Sequence, residues 1–323
     1  MLDHNNIDHG DAKDNVPTDA MLTEDVSPTS PPGVGVIGVG TMGGPMAGHM
    51  LAAGLEVHVN ARRPAATTAL VEAGARAHAT PAELAAHCGV VVFVLPDLPD
   101  VEAVLAGPDG LLAGVRHPMV LVISSTVSPE GVRLLGDRLA VQTGGLVHVV
   151  DAPVSGGARG AIAGTLAIMM GGSDADVARV EPALRACGNP AHLGPLGAGQ
   201  VAKACNQMIV AATVLALSEA SVVARRAGLD VGALFDLLGT GLAGSQVLEQ
   251  KKDALVAREH PSSGPAKFMV KDLTFATAEA RRGGTVTPQL DVLRDVFTGL
   301  TEAGLGDQDV AVVQTYVENL RMP

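Results

Sequence analysis

Three short segments of this chain carry residue types whose spacing could do chemistry. The first runs Val34-Gly-Val-Ile-Gly38-Val39-Gly40-Thr41-Met42-Gly43, an apolar stretch that feeds directly into Gly38-x-Gly40-x-x-Gly43. Glycines at this spacing permit a tight strand-to-helix turn at Gly38 and close backbone approach of a pyrophosphate at Gly40. The third, Gly43, permits close packing of helix on strand. A helix starting there offers unpaired N–H groups and its positive dipole end to the same anion. With a strand before and a helix after, the motif reads as a dinucleotide site, a plain glycine turn being the alternative. The second segment is Ser155-Gly156-Gly157 at the end of a strand, where free backbone N–H groups beside a hydroxyl suit a carboxylate. A structural loop is the other reading. The third places Lys203 and Asn206 three residues apart on one helix face, among Val201, Ala202, Ala204, Met208 and Ile209. A solvated lysine is the ordinary outcome on a helix. A desolvated one falls below the usual value of about 10.4 and can both give and take a proton.

Sites of the first kind usually carry an acidic residue at the end of the second strand to hold the ribose 2′-hydroxyl. None stands there; Arg62 and Arg63 follow Asn60 instead. Guanidinium groups attract a 2′-phosphate where a carboxylate would repel it, so NADP(H) is the expected cofactor and NAD(H) the alternative. A solvated basic turn would look the same in sequence.

The elements that must hold these segments alternate. Apolar strand patterns fall at Val34–Val39, Leu55–Asn60, Arg76–Ala79, Gly89–Leu95 and Met119–Ile123, with helices at 65–73, from Thr80-Pro81-Ala-Glu83, and from Asp97 to Leu105. Such alternation implies right-handed parallel βαβ units. Leu146–Asp151, Leu166–Met170 and Ala191–Leu193 are further strand candidates. From Ala198 to Ala227 helical spacing continues without a breaker, and helices follow at about 230–239, 244–257, 265–282, 287–303 and from Asp309 to Leu320. The expected fold is α/β, a doubly wound, mostly parallel Rossmann-type sheet, then an all-α domain, joined by a long helix. Residues 1–32 are expected to be a disordered acidic tail, 33–197 the dinucleotide-binding domain, and 198–323 a helical domain for substrate and dimerisation.

Composition narrows the function classes. The net charge of −12 argues against a nucleic-acid partner. Aromatic residues make up only 2% of the chain with no Trp, which suits close helix packing by Ala, Val, Leu and Met better than a sandwich. Cys88, Cys187 and Cys205 form no C-x-x-C pair and read as reduced thiols of a cytoplasmic protein. No histidine pair has metal-ligand spacing, so no metal is expected. The most apolar run, Val210 to Val223, is interrupted by Ser218, Glu219 and Ser221 and reads as a buried helix, so no membrane contact is expected.

Together with Phe268-Met-Val-Lys271-Asp272-Leu273, the three segments resemble the β-hydroxyacid dehydrogenase family, which includes 3-hydroxyisobutyrate dehydrogenase and tartronate semialdehyde (2-hydroxy-3-oxopropionate) reductase. The likeness runs in order from about Gly33 to Ala303. It implies that Lys203, within G-x-x-x-K-x-x-N, is the catalytic proton-transfer group and that Asn206 binds substrate. It implies that Ser155, Gly156 and Gly157 bind the substrate carboxylate. Cofactor contacts would fall on Gly38, Val39, Gly40, Thr41 and Met42, on Asn60, Arg62 and Arg63, on Leu95, Pro96 and Thr126, and on Lys271 from the helical domain. Where NADP-using relatives often show Asn-Arg-Thr, this chain has Ala61-Arg62-Arg63, which keeps the arginine and loses its asparagine neighbour. The function implied is NAD(P)-dependent interconversion of a small β-hydroxy carboxylate and its semialdehyde or keto acid; the apolar character of the helical segments separately leads to an expected homodimer or homotetramer. The alternatives are an imine reductase of the same fold, whose members generally carry Asp or Tyr in place of Lys203, and a nucleotide-binding scaffold without chemistry.

Overall fold

The computed structural model describes residues 33–261 and 264–320; the tail expected over residues 1–32 lies outside them. Six strands form the main sheet: β1 (Gly33–Ile37), β2 (Val57–Asn60), β3 (Arg76–Ala77), β4 (Cys88–Phe93), β5 (Met119–Ile123) and β6 (Val147–Asp151). Their order is β3-β2-β1-β4-β5-β6 and every pairing is parallel. The strands β1, β2, β4 and β5 are buried at every residue. Burial on both faces is why β4 and β5 read as unbroken apolar runs; β2, Val-His-Val-Asn, alternates in sequence although it too is buried. Helices α1 (Gly43–Ala52), α2 (Thr68–Glu72), α3 (Pro81–Ala85), α4 (Leu98–Leu105), α5 (Leu111–Gly114) and α6 (Pro129–Gln142) form the crossovers. The expected start of α3 is a complete capping box, in which Thr80 Oγ1 accepts from Glu83 N–H and the Glu83 carboxylate accepts from Thr80 N–H.

A smaller sheet follows, ordered β7 (Val154–Ser155), β8 (Leu166–Met170) and β9 (Gly188–His192), with α7 (Gly157–Ala163) and α8 (Asp174–Arg185) between its strands. The β7–β8 pair is antiparallel and β8–β9 is parallel. Here the structure departs from expectation. The strand expected at Ala191–Leu193 begins three residues earlier and admits Pro190, which a strand at the edge of a sheet tolerates because no ladder partner needs its N–H. β1 stops at Ile37, two residues short of Val39, because Gly38 turns the chain with φ +97°. Helices α5, α6 and α8 were not anticipated.

The second half is helical: α9 (Ala198–Arg226), α10 (Val231–Gly239), α11 (Gln246–Ala257), α12 (Phe268–Arg282), α13 (Pro288–Glu302) and α14 (Val313–Asn319). A short 3-10 turn at Val310–Val312 precedes α14, where a single helix from Asp309 was expected. α9 runs through this core, with Ala211, Val214, Leu215 and Leu217 buried against Phe235, Leu255, Leu273 and Phe297. Each large side chain so buried contributes about 1.5–3 kcal/mol. Among the described residues α9 is the one helix long and apolar enough by composition to cross a membrane, and half of its most apolar window is buried inside the fold.

Candidate active site

The carboxyl ends of β5 and β6 meet the start of α9. At β1 the first and third glycines are required by packing: a Cβ at Gly38 would lie 2.3 Å from Val94 O, and one at Gly43 would lie 2.1 Å from Gly38 O. Gly40 differs, being exposed with no atom within 4 Å of a Cβ position. α1 starts at Gly43 without a side-chain cap; in its first turn Gly44 N–H donates to Gly40 O at 2.9 Å and Pro45 has no N–H to offer. Open space above Gly40 beside an uncapped helix end fits a pyrophosphate. Val39 is buried, Thr41 exposed and Met42 half-buried along this turn.

Past β2, Arg62 and Arg63 are both exposed and make no ion pair with any described residue. Asn60 is buried, and its Nδ2 donates to His78 O and Ala79 O at 3.0 and 3.3 Å, so its amide ties β2 to the loop after β3. At β4, Leu95 N–H donates to Ser125 Oγ at 2.9 Å, and Pro96 beyond it is exposed. Thr126 is half-buried, and its carbonyl accepts from Lys271 Nζ at 2.7 Å. The helical domain thus reaches the turn after β5 through Lys271.

Lys203 is buried, one and a half turns into α9. Its Nζ donates to Gln207 Oε1 at 2.9 Å, and the same oxygen accepts from Asn206 Nδ2, also at 2.9 Å. Asn206 Oδ1 accepts from Ser155 Oγ at 3.2 Å, which joins the second and third sequence segments. Gly156 and Gly157 follow with φ +134° and +60°, values that favour glycine. Gln207 Nε2 donates to Asp272 Oδ2 at 2.6 Å, and Asp272 Oδ1 accepts from Lys271 Nζ at 2.9 Å. Burial lowers the Lys203 amine to about 8; the Asp272 carboxylate opposes the shift and the Lys271 charge adds to it. An amine with such a value is suited to give and take protons near neutral pH, and Gln207 and Asn206 link it to the Ser155 hydroxyl.

Two further groups hold the start of α9 in place. Asp151, the last residue of β6, is fully buried and accepts from backbone N–H groups of Gly197 and Gln200. The Gln200 side chain bonds Ser125 O and Val127 N–H after β5. Gln207, Asp272, Asp151 and Gln200 stand within the segments read in sequence but were given no role there. The i, i+4 spacing of Lys203 and Gln207 is the signal that could have found the first; the others meet the site only through tertiary structure.

Comparison with known proteins agrees with this geometry. Residues 33–208 match the family described as the NAD binding domain of 6-phosphogluconate dehydrogenase. Residues 197–316 match the family described as NAD-binding of NADP-dependent 3-hydroxyisobutyrate dehydrogenase. The chain belongs to the β-hydroxyacid dehydrogenase family of NAD(P)-dependent oxidoreductases. Among its relatives is a probable 3-hydroxyisobutyrate dehydrogenase-like 3, mitochondrial, of Arabidopsis thaliana, 35% identical over 287 residues that cover 89% of this chain and 87% of that protein. A 3-hydroxyisobutyrate dehydrogenase of Pseudomonas aeruginosa is 36% identical over 273 residues, covering 82% and 91%. The crystal structure of a 3-hydroxyisobutyrate dehydrogenase from Salmonella typhimurium superposes with a TM-score of 0.80 at 28% identity, covering 88% of this chain and 99% of that one.

Proposed function

We propose that this protein interconverts a small β-hydroxy carboxylate and its semialdehyde or keto acid, with NADP(H) as its preferred cofactor. The observation that carries the reading is Lys203: a buried amine lowered to about 8, linked through Gln207 and Asn206 to Ser155. The space over Gly40, the exposed Arg62 and Arg63, and the turn at Thr126 are the places that would hold the cofactor. When bound, its nicotinamide supplies or accepts the hydride. In reduction, charged Lys203 donates a proton to the oxygen of the carbonyl as it becomes an alcohol. In oxidation, neutral Lys203 takes the hydroxyl proton. Ser155, Gly156 and Gly157 hold the carboxylate, and Asn206 orients the reacting oxygen, so position and nearby positive charge supply most of the rate gain.

Two supports extend the reading. Cys88, Cys187 and Cys205 are all unpaired, which fits a reducing cytoplasm. Ile209 and Val223 are large, apolar and exposed on α9, which fits pairing with a second copy in a homodimer or homotetramer. An imine reductase is disfavoured by the lysine itself. The deciding assay offers NADPH and NADH separately to the purified protein with glyoxylate and with succinic, methylmalonic and tartronate semialdehydes. Turnover on at least one is expected, faster with NADPH. Cofactor binding without turnover on any, or turnover confined to cyclic imines, overturns the proposal.

A further inference from the structure

The segment that begins at Asp151 grips α9 at two places. The Asp151 carboxylate accepts from Gly197 N–H at 2.7 Å and from Gln200 N–H at 2.6 Å, and four residues later Ser155 bonds Asn206. Gln200 extends the grip to β5: its Nε2 donates to Ser125 O at 2.9 Å, and its Oε1 accepts from Val127 N–H at 3.0 Å. Helices are ordinarily capped by the residue just before them, but the residue there is Gly197, which has no side chain to do so. The cap comes instead from a strand 46 residues upstream. The fit is close enough that only glycine stands beside the carboxylate. A Cβ at Gly171 would lie 2.4 Å from Asp151 Oδ1, and one at Gly199 would lie 2.9 Å from Oδ2 and 2.1 Å from Met169 O.

We propose that Asp151 and Gln200 are positioning residues, which pin the first turn of α9 to the carboxyl ends of β5 and β6 so that Lys203, three residues beyond Gln200, meets the substrate carbonyl. The inference rests on the role proposed above for Lys203. Its physical basis is the intolerance of proton and hydride transfer to misplacement, where about 1 Å can cost on the order of 100-fold in rate. A cap that served stability alone would leave the amine where it is once the helix had formed. The pin also fixes how α9 lies and with it the burial of Lys203, which α12 shares through Asp272.

Asp151→Asn keeps the shape but turns an N–H toward one of the two N–H donors, breaking that bond. Gln200→Met keeps the bulk of the side chain and removes both bonds to β5. In the full chain, the measurements are kcat, KM, the cofactor dissociation constant, the melting temperature, and the pH midpoint of Lys203 acylation read by mass spectrometry. Both variants are expected to hold cofactor within about threefold, to lose at least about tenfold in kcat with KM little changed, and to label with a midpoint above the value of about 8. A folded variant with unchanged kcat and unchanged midpoint overturns the proposal, and so does a lower melting temperature with neither of the other changes. Should Asp151→Asn fail to fold, Gln200→Met decides by the same criteria. If the natural protein turns over no carboxylate substrate but the midpoint still moves in the variants, the positioning stands and the catalytic reading of Lys203 falls.

Discussion

Lys203 Nζ stands 2.9 Å from Gln207 Oε1, and that oxygen can only be an acceptor because the other end of the amide donates to Asp272. A carboxylate has no proton to give, so the Gln207 amide has one satisfied orientation, and the lysine must be the donor. The Asp272 charge favours the ammonium form while burial favours the neutral form. Between them the amine stays able to exist in either state.

Removal of the amine is the most direct consequence to measure. Lys203→Ala should lower kcat by about 100- to 10,000-fold, the usual range for general acid–base catalysis, while cofactor affinity changes little. In the natural protein, reduction should slow as pH rises through about 8, where Lys203 loses its proton, and oxidation should quicken over the same interval. Rates flat across pH 7–9 in both directions, with chemistry rate-limiting, would remove Lys203 from proton transfer.

Asp272 gives a second test, in which the sign is fixed by charge. Its carboxylate supports the charged form of Lys203, whereas burial and Lys271 oppose it. Asp272→Asn removes the one favourable charge, so the alkaline limb of the reduction rate should move to lower pH. The same variant leaves Lys271 without its partner at 2.9 Å and should weaken its hold on Thr126, raising KM for the cofactor. A limb that moves to higher pH would contradict the electrostatic account.

The arginines test cofactor choice. Arg62 and Arg63 are exposed beyond β2 with no described carboxylate to pair with, so their charge is available to a 2′-phosphate. Arg62→Ala with Arg63→Ala should raise KM for NADPH about tenfold or more and leave KM for NADH nearly unchanged. The loss should shrink at high salt, as expected of exposed charge. Equal effects on both cofactors would assign the arginines to the fold of the turn instead.

Much of this was legible in sequence, and what was not has physical causes. The α9 helix was bounded within a residue because thirty positions keep helical spacing and Gly197 and Gly228 punctuate them. The buried strands β4 and β5 stood out as apolar runs, and β2 by its alternation. Helix α6 escaped although Ser128-Pro129-Glu130 is a start signal, its apolar face being diluted by exposed Leu134 and Val141. Helix α8 carries Pro182 inside it, which argues against a helix when read alone. At the site, Lys203 and Ser155 could be read from local pattern. Asp151 could not, because its meaning is a contact across 46 residues with backbone groups that leave no trace in side-chain types.

The last prediction lies away from the chemistry, at three histidines packed together beside β2. His58, His78 and His87 have ring centroids 5.0, 5.4 and 5.1 Å apart, and His58 Nδ1 lies 2.8 Å from His78 Nε2. Burial, aided by the mutual repulsion of the imidazoles, lowers the pKa of both His58 and His78; Glu56 and Glu83 oppose it, and Arg76 adds to the lowering at His78. The unfolded chain therefore binds more protons than the folded one below the ordinary histidine value of about 6.5, and folding stability contributed here falls as pH falls through that region. Asp151, raised to about 6 by burial, acts with the opposite sign, so the histidines must be isolated by difference. His58→Gln should lose less stability than the natural protein when urea unfolding is compared at pH 7.5 and 5.5. Because Asn60 bonds the carbonyl of His78, the natural protein should also bind NADPH more weakly at the lower pH, and the variant should do so less. Identical pH slopes of stability in the two proteins would show that the cluster stays neutral, or is already open to water, across this range.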